Sequence, residues 1–126
     1  RGDGMVTFAR VYAGPDGRSR MEEIEPTFEP FVDIEGAHGE GTPLEAATGI
    51  TFRRNAPGYF LDWHTAPRRQ YTITIEGQVE ISTGDGQVRR FGPGSVLLAE
   101  DLTGQGHTTR VVGDQPRTTI IVPLAG

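Results

Sequence analysis

Apolar residues occur in short runs broken at close intervals by glycine or proline, and the runs are rich in β-branched and aromatic side chains. Segments 6–13, 47–53, 59–63, 71–75, 79–82, 87–91, 95–99, 108–112 and 117–122 therefore read as strands. Asp16-Gly17 and Asp85-Gly86 are two-residue hairpin signals, and Gly92-Pro93-Gly94 marks a further reversal. No segment sustains apolar residues at helical spacing beyond two turns. The predicted class is all-β, a sandwich or barrel. Segment 22–40 is acidic and holds Pro26 and Pro30, so it is expected to form a wrapping arm or a loop. The expected division within one domain is an N-terminal strand and arm over 1–45 and a barrel core over 46–126.

Strand alternation sorts residues between a pocket and an outer face. In Gln70–Glu76, the residues Gln70, Thr72, Thr74 and Glu76 share one side, and Tyr71, Ile73 and Ile75 share the other. If the polar set lines a pocket, the apolar set points outward and needs a cover, either a second layer or a second subunit. A homodimer is the expectation on that ground.

Composition removes several chemistries. At 126 residues the chain supports one core of ordinary size. It has no cysteine, which excludes disulfide frameworks, thiolate metal sites and thiol nucleophiles. All 12 basic residues are arginine, which removes lysine Schiff-base chemistry and pyridoxal enzymes. The formal charge is −5 and the arginines are scattered in pairs, so there is no phosphate-tracking stripe and nucleic acid is not an expected partner. No apolar run approaches the roughly 20 residues of a membrane span, no charged leader precedes an apolar block, and a cytoplasmic location is expected. The first residue is not methionine, as expected of a trimmed start. The opening Arg1-Gly2-Asp3 matches an adhesion tripeptide, which in this composition is a coincidence.

The chain has three histidines. His38, in Gly36-Ala37-His38-Gly39, is expected to be solvated. His64 closes a predicted strand just before Pro67, and His107 follows the turn Gly104-Gln105-Gly106 and opens another, so both stand where a barrel mouth would lie. If alternation continues through Pro67, then His64, Ala66, Arg68 and Gln70 face one way. Such a wall could hold a carboxylate or enolate on Arg68 while an imidazole moves a proton. The plainer readings are a structural hydrogen-bonded histidine at each strand end, Arg68 and Arg69 as surface ion-pair partners, and Trp63 as a wall aromatic. Glu100-Asp101 is a turn cap or edge charge unless one of its carboxylates meets His107. Ser19, Ser82 and Ser95 lie in no nucleophile-elbow setting, which argues against a hydrolase triad.

Together these spacings resemble the cupin family. The first cupin motif is a glycine, five residues, His-x-His, three or four residues, Glu, six residues and a glycine. Here Gly58, His64, Ala66, Gln70 and Gly77 keep that register, with two of the three ligand identities changed. The second motif is an early glycine, Pro-x-Gly, two residues, His, three residues and Asn. Gly94, Gly104 and His107 match it, while Leu102 stands at the proline place and Val111 at the asparagine place. The resemblance covers 58–112 and implies a cupin-type double-stranded β-helix, a jelly-roll β-barrel.

Cupins commonly hold one divalent metal on the two histidines and glutamate of the first motif and the histidine of the second. By position this leaves His64, Gln70 and His107, with Ala66 removing one ligand and Gln70 replacing the sole anion. The cofactor expectation is therefore none, or a weakly bound zinc, nickel, copper or iron ion, with no nucleotide cofactor. The leading functional expectation is a small-molecule isomerase, lyase or cyclase. In it His64 and His107 act as acid and base, and Arg68, Gln70, Thr72 and Thr74 bind an oxygen-rich substrate that can carry an anionic group. The alternatives are a metal-dependent enzyme such as a dioxygenase, with His64, Gln70 and His107 as ligands, and a non-catalytic module that binds or senses a small ligand.

Overall fold

A computed structural model describes residues 7–126; the tripeptide at 1–3 and Val6 lie outside the described residues. The described residues form strands only. These are β1 (Phe8–Ala13), β2 (Ser19–Glu23), β3 (Glu29–Val32), β4 (His38–Gly41), β5 (Thr51–Asn55), β6 (Phe60–His64), β7 (Gln70–Glu76), β8 (Gln78–Ser82), β9 (Val88–Phe91), β10 (Val96–Glu100), β11 (His107–Val112) and β12 (Arg117–Pro123). A six-stranded sheet runs β2-β1-β10-β7-β12-β5 and faces a four-stranded sheet, β6-β11-β8-β9. Strand β1 pairs parallel with β10, far away in sequence, so the N-terminal strand is built into the main sheet. No helix among the described residues is long and apolar enough to cross a membrane.

All nine expected strands are present, and β2, β3 and β4 are additional. Strand β2 completes the hairpin that Asp16-Gly17 announced, but its sequence Ser-Arg-Met-Glu-Glu carries one apolar residue, which hides it from a hydrophobic pattern. Strands β3 and β4 form a separate hairpin within the arm, its register set by Phe31 opposite Gly39. A Cβ at Gly39 would lie 2.6 Å from the Phe31 ring, so the ring occupies the space that glycine leaves. His38 starts β4 and is exposed, as expected.

The arm also accounts for the apolar face of β7. Tyr71 and Ile73 line a groove on the outer side of the large sheet together with Ile24, Pro26, Phe28 and Pro43, and the Tyr71 hydroxyl donates to Glu45 Oε1 at 2.5 Å. Part of the cover expected from a second subunit is thus supplied by the chain itself, while Ile75 remains 48% exposed.

The space between the sheets is filled unevenly. At one end Ala9, Val11, Met21, Val79, Ile81, Phe91 and Leu97 form the apolar core, from β1, β2, β8, β9 and β10. Burying each of the larger aliphatic side chains contributes about 1.5–3 kcal/mol. At the other end, between β5, β7 and β12 on one side and β6 and β11 on the other, the inward residues are largely polar and a cavity remains.

The two sheet ends that carry the histidines are joined by backbone. His107 pairs directly with His64 across β11 and β6. Gly106, just before it, has φ of 79° and lies so close to β6 that a Cβ would stand 1.9 Å from the His64 carbonyl oxygen. Ser19 Oγ donates to the Gly106 carbonyl at 2.7 Å, and the Gln105 amide donates to the Gly17 carbonyl at 3.0 Å, so the β1–β2 hairpin braces the same turn. Gly113 offers a control, with φ of 82° and nothing within 4 Å of a Cβ. We expect Gly113→Ala to lose only the backbone cost of about 1–2 kcal/mol. Gly106→Ala should lose distinctly more in urea unfolding, and an equal loss at the two sites would contradict the clamp.

Candidate functional site

The cavity has a volume of about 100 Å³. Its walls follow from alternation on each strand. Arg53 and Asn55 enter from β5, Thr119 and Ile121 from β12, and Gln70 and Thr72 from β7. The opposite wall carries Leu61 and His64 from β6, Tyr59 before it, and His107 and Thr109 from β11. Ile81, Leu97 and Ala99 connect it to the apolar core.

The two imidazoles meet. Their ring centroids are 4.4 Å apart and the planes are inclined by 57°. His107 is buried, and its Nδ1 lies 2.5 Å from Asp101 Oδ2. A carboxylate accepts, so His107 carries a proton on Nδ1 and leaves Nε2 as the lone-pair nitrogen of its neutral form. His64 Nδ1 lies 2.7 Å from the Asp62 carbonyl oxygen. A carbonyl likewise only accepts, which assigns the same tautomer. Burial of the His64 ring, together with the neighbouring His107, outweighs the bond to Asp62 and holds the His64 pKa below its usual value of 6.5.

Asp101 is the residue on which both motifs converge. It is fully buried, its backbone carbonyl accepts from the Ala66 amide at 3.1 Å, and its carboxylate holds His107. The second oxygen, Oδ1, is buried without a hydrogen-bond partner among the described residues. A buried carboxylate leaning on one ring is costly, so its contribution to stability is small or negative. Asp101 was visible in the sequence only as half of an acidic pair at a strand end. Its neighbour Glu100 has the surface role: Arg10 Nε at 2.5 Å and Arg69 Nε at 2.7 Å bind its two oxygens. Burial pushes the Glu100 carboxyl up, but the two arginines outweigh burial and hold it below the usual carboxylate range.

Of the other expected site residues, Gln70 and Thr72 line the cavity. Thr74 does not; it is buried beneath the wall, where its Oγ1 accepts from Arg117 Nε and Nη2 at 3.3 and 3.1 Å. Arg68 is exposed on the connection between β6 and β7 and does not line the cavity. Strand pairing stops at His64 and resumes at Gln70, so alternation does not carry through Pro67, and Arg68 turns outward. The guanidinium at the cavity is Arg53 instead. Its signal was alternation in β5, where Thr51, Arg53 and Asn55 oppose Phe52 and Arg54, but nothing in the sequence marks which face is inside.

The donor set for a metal is two imidazole nitrogens and the neutral amide of Gln70, with Ala66, buried at the edge of the cavity, at the missing histidine position. No cavity-lining residue is a carboxylate, and no group of three His, Cys, Asp or Glu among the described residues is placed to hold an ion. This set is short of a full first-row metal centre, which uses three or more good ligands and commonly an anionic one.

Comparison with known proteins places the fold. No family model and no curated protein matches the chain. Among solved structures, an uncharacterized conserved protein with a double-stranded β-helix domain from Klebsiella pneumoniae is 23% identical over 78% of both chains, with a TM-score of 0.51. The DMSP lyase DddQ from Ruegeria pomeroyi is 17% identical over 78% of this chain and 47% of its own, with a TM-score of 0.53. A cupin domain from Bordetella pertussis is 16% identical over 82% of this chain and 98% of its own, with a TM-score of 0.49. The chain has a double-stranded β-helix fold.

The depressed His64 value has a definite sign. The folded ring binds its proton less tightly than the unfolded one, so folding stability falls as pH drops from about 6.5 through the folded value. An NMR titration of the His64 ring should give a midpoint below 6.5, and a midpoint at or above that value would refute the buried, crowded environment.

Proposed function

We propose that the protein is a small-molecule enzyme of the isomerase, lyase or cyclase kind, using His64 and His107 as an acid–base pair. The observation that carries this reading is the contact of the two rings at 4.4 Å within one cavity, with His107 held by a buried carboxylate. A ring buttressed through Nδ1 presents Nε2 in a fixed direction, which is what proton transfer to a bound substrate requires. His64 is held neutral near pH 7 by its surroundings and so serves as the base. In one turnover His64 Nε2 takes a proton from the substrate, and His107, when protonated, gives one to the adjacent atom or leaving group. Gln70 and Thr72 orient oxygen atoms of the substrate by hydrogen bonds, and the small cavity limits it to a short molecule or the end of a longer one.

The short donor set favours chemistry without a tightly held metal. A metal-dependent enzyme with His64, Gln70 and His107 as ligands, and a binding module without turnover, are the outcomes that would replace this reading. The likeness to DMSP lyase DddQ is one of fold and does not choose among substrates.

With a substrate found by screening small oxygenated compounds, His64→Gln and His107→Gln should each lower kcat by about 10²–10⁴-fold. Chelators should leave turnover unchanged. Turnover lost on chelation and restored by one added metal would establish the metal-dependent alternative, and unchanged kcat in both histidine variants would end the acid–base assignment. Asp101→Asn, which keeps size but can present an N–H to His107 Nδ1, should lower kcat by about tenfold or more with little change in KM. An equal fall in folding stability and no change in kcat would make Asp101 purely structural.

A further inference from the structure

The β5 and β12 side of the cavity carries positive charge with no carboxylate partner among the described residues. Arg53 lines the cavity from β5 and takes part in no ion pair among the described residues. Arg117 is 6% exposed, which is unusual for arginine, and it too has no carboxylate partner among the described residues. Its two hydrogen bonds go to the neutral hydroxyl of Thr74. Pairing fixes where it lies. Arg117 stands opposite Asn55 across β12 and β5, and Thr119, two residues on and on the same face, stands opposite Arg53. Asn55, Thr119 and Arg53 all line the cavity, so Arg117 lies at the same end.

A buried guanidinium without a counter-ion is expensive, and a second cation beside it raises the expense. Burial, with a further contribution from Arg53, pushes the Arg117 pKa down to about 10, which leaves it charged at neutral pH. The cavity wall offers no Asp or Glu to offset the pair, and the one buried carboxylate among the described residues, Asp101, is engaged by His107. Buried Arg117 and exposed Arg53 therefore stand together without a counter-charge among the described residues.

We propose that the end of the cavity formed by β5 and β12 is an anion subsite, in which Arg53 receives the carboxylate of a short organic acid and Arg117 behind it adds a second positive charge. A planar guanidinium pairs with a carboxylate through two parallel N–H···O bonds. The apolar Leu97 and Ile121 beside it suit the hydrocarbon part of such an acid. This deepens the acid–base reading and rests on it for the identity of the cavity as a substrate site: the acid would be anchored at Arg53 while its reacting atoms face His64 and His107.

The test is calorimetric titration of the whole protein at pH 7 with propanoate, its neutral isostere propanamide, and inorganic phosphate. Propanoate should bind saturably, with propanamide weaker by about tenfold or more and Arg53→Gln costing the propanoate affinity a similar factor. Arg53 is exposed to solvent at the cavity and its variant is expected to fold, which circular dichroism checks. Absent propanoate binding, equal affinity for the amide, or an unchanged Arg53→Gln variant would overturn the subsite, and tighter binding of phosphate would overturn its assignment to carboxylates. The His107→Gln variant separates the two proposals. If it keeps turnover while propanoate binding depends on Arg53, the acid–base reading fails and the subsite stands. If it loses turnover and propanoate does not bind, the subsite fails and the acid–base reading stands.

Discussion

The site depends on one close backbone approach, that of Gly106 to the carbonyl of His64. The distance leaves no room for a Cβ, and the left-handed φ suits no other residue well. Because the contact lies in the backbone, it sets the separation of β6 and β11 at the point where each presents an imidazole. The two rings are brought together by strand pairing and not by their own attraction; neutral imidazoles in contact gain little beyond dispersion. Asp101 then removes the remaining freedom of His107, and the bond to the Asp62 carbonyl removes that of His64.

The same construction explains why a cavity survives in so small a domain. Filling the space between two sheets with aliphatic side chains is the most stable arrangement. The chain does so at the β1, β2, β8 and β9 end, and the core there supplies the stability that lets the other end remain polar. At that other end Arg53, Asn55, His64, Gln70 and Thr72 take positions that isoleucine or valine would fill in a purely structural sandwich. Each polar residue there gives up apolar burial, so this end of the sandwich contributes less to folding stability than the apolar end.

The strands and the placement of His64 and His107 at one pocket were legible because turn glycines and β-branched runs carry strong local signals, and because the register from Gly58 to Gly77 and from Gly94 to Val111 matches a known pattern; their direct pairing across β6 and β11 was not. Legibility ended where a local rule was interrupted. Alternation extended through Pro67 puts Arg68 in the cavity, but the chain leaves strand pairing between His64 and Gln70 and the side chain turns outward. Thr74 was placed on the correct face of β7, but how far the open space reaches along a strand is set by opposing side chains, here Arg117, which pairing brings from a distant segment. Arg53 and Arg117 had no motif at all. Their placement follows from the β5–β12 register, a long-range property that a hydrophobic pattern does not encode.

Net charge and local charge point in opposite directions here. The chain as a whole is acidic, at −5, yet no acid among the described residues lines the cavity, and Glu22, Glu23, Glu80 and Glu100 pair with Arg10, Arg69, Arg89 and Arg90. Surface pairs of this kind are screened by water and contribute little stability. Among the described residues this leaves Arg117 as a buried guanidinium without a carboxylate partner, with the exposed Arg53 nearby at the cavity. An acidic exterior slows the approach of an anion, whereas a cation screened from water attracts one at short range. On the proposed reading the two arginines hold the anionic end of a small molecule and the two histidines move its proton, so charge and size together set what the cavity admits.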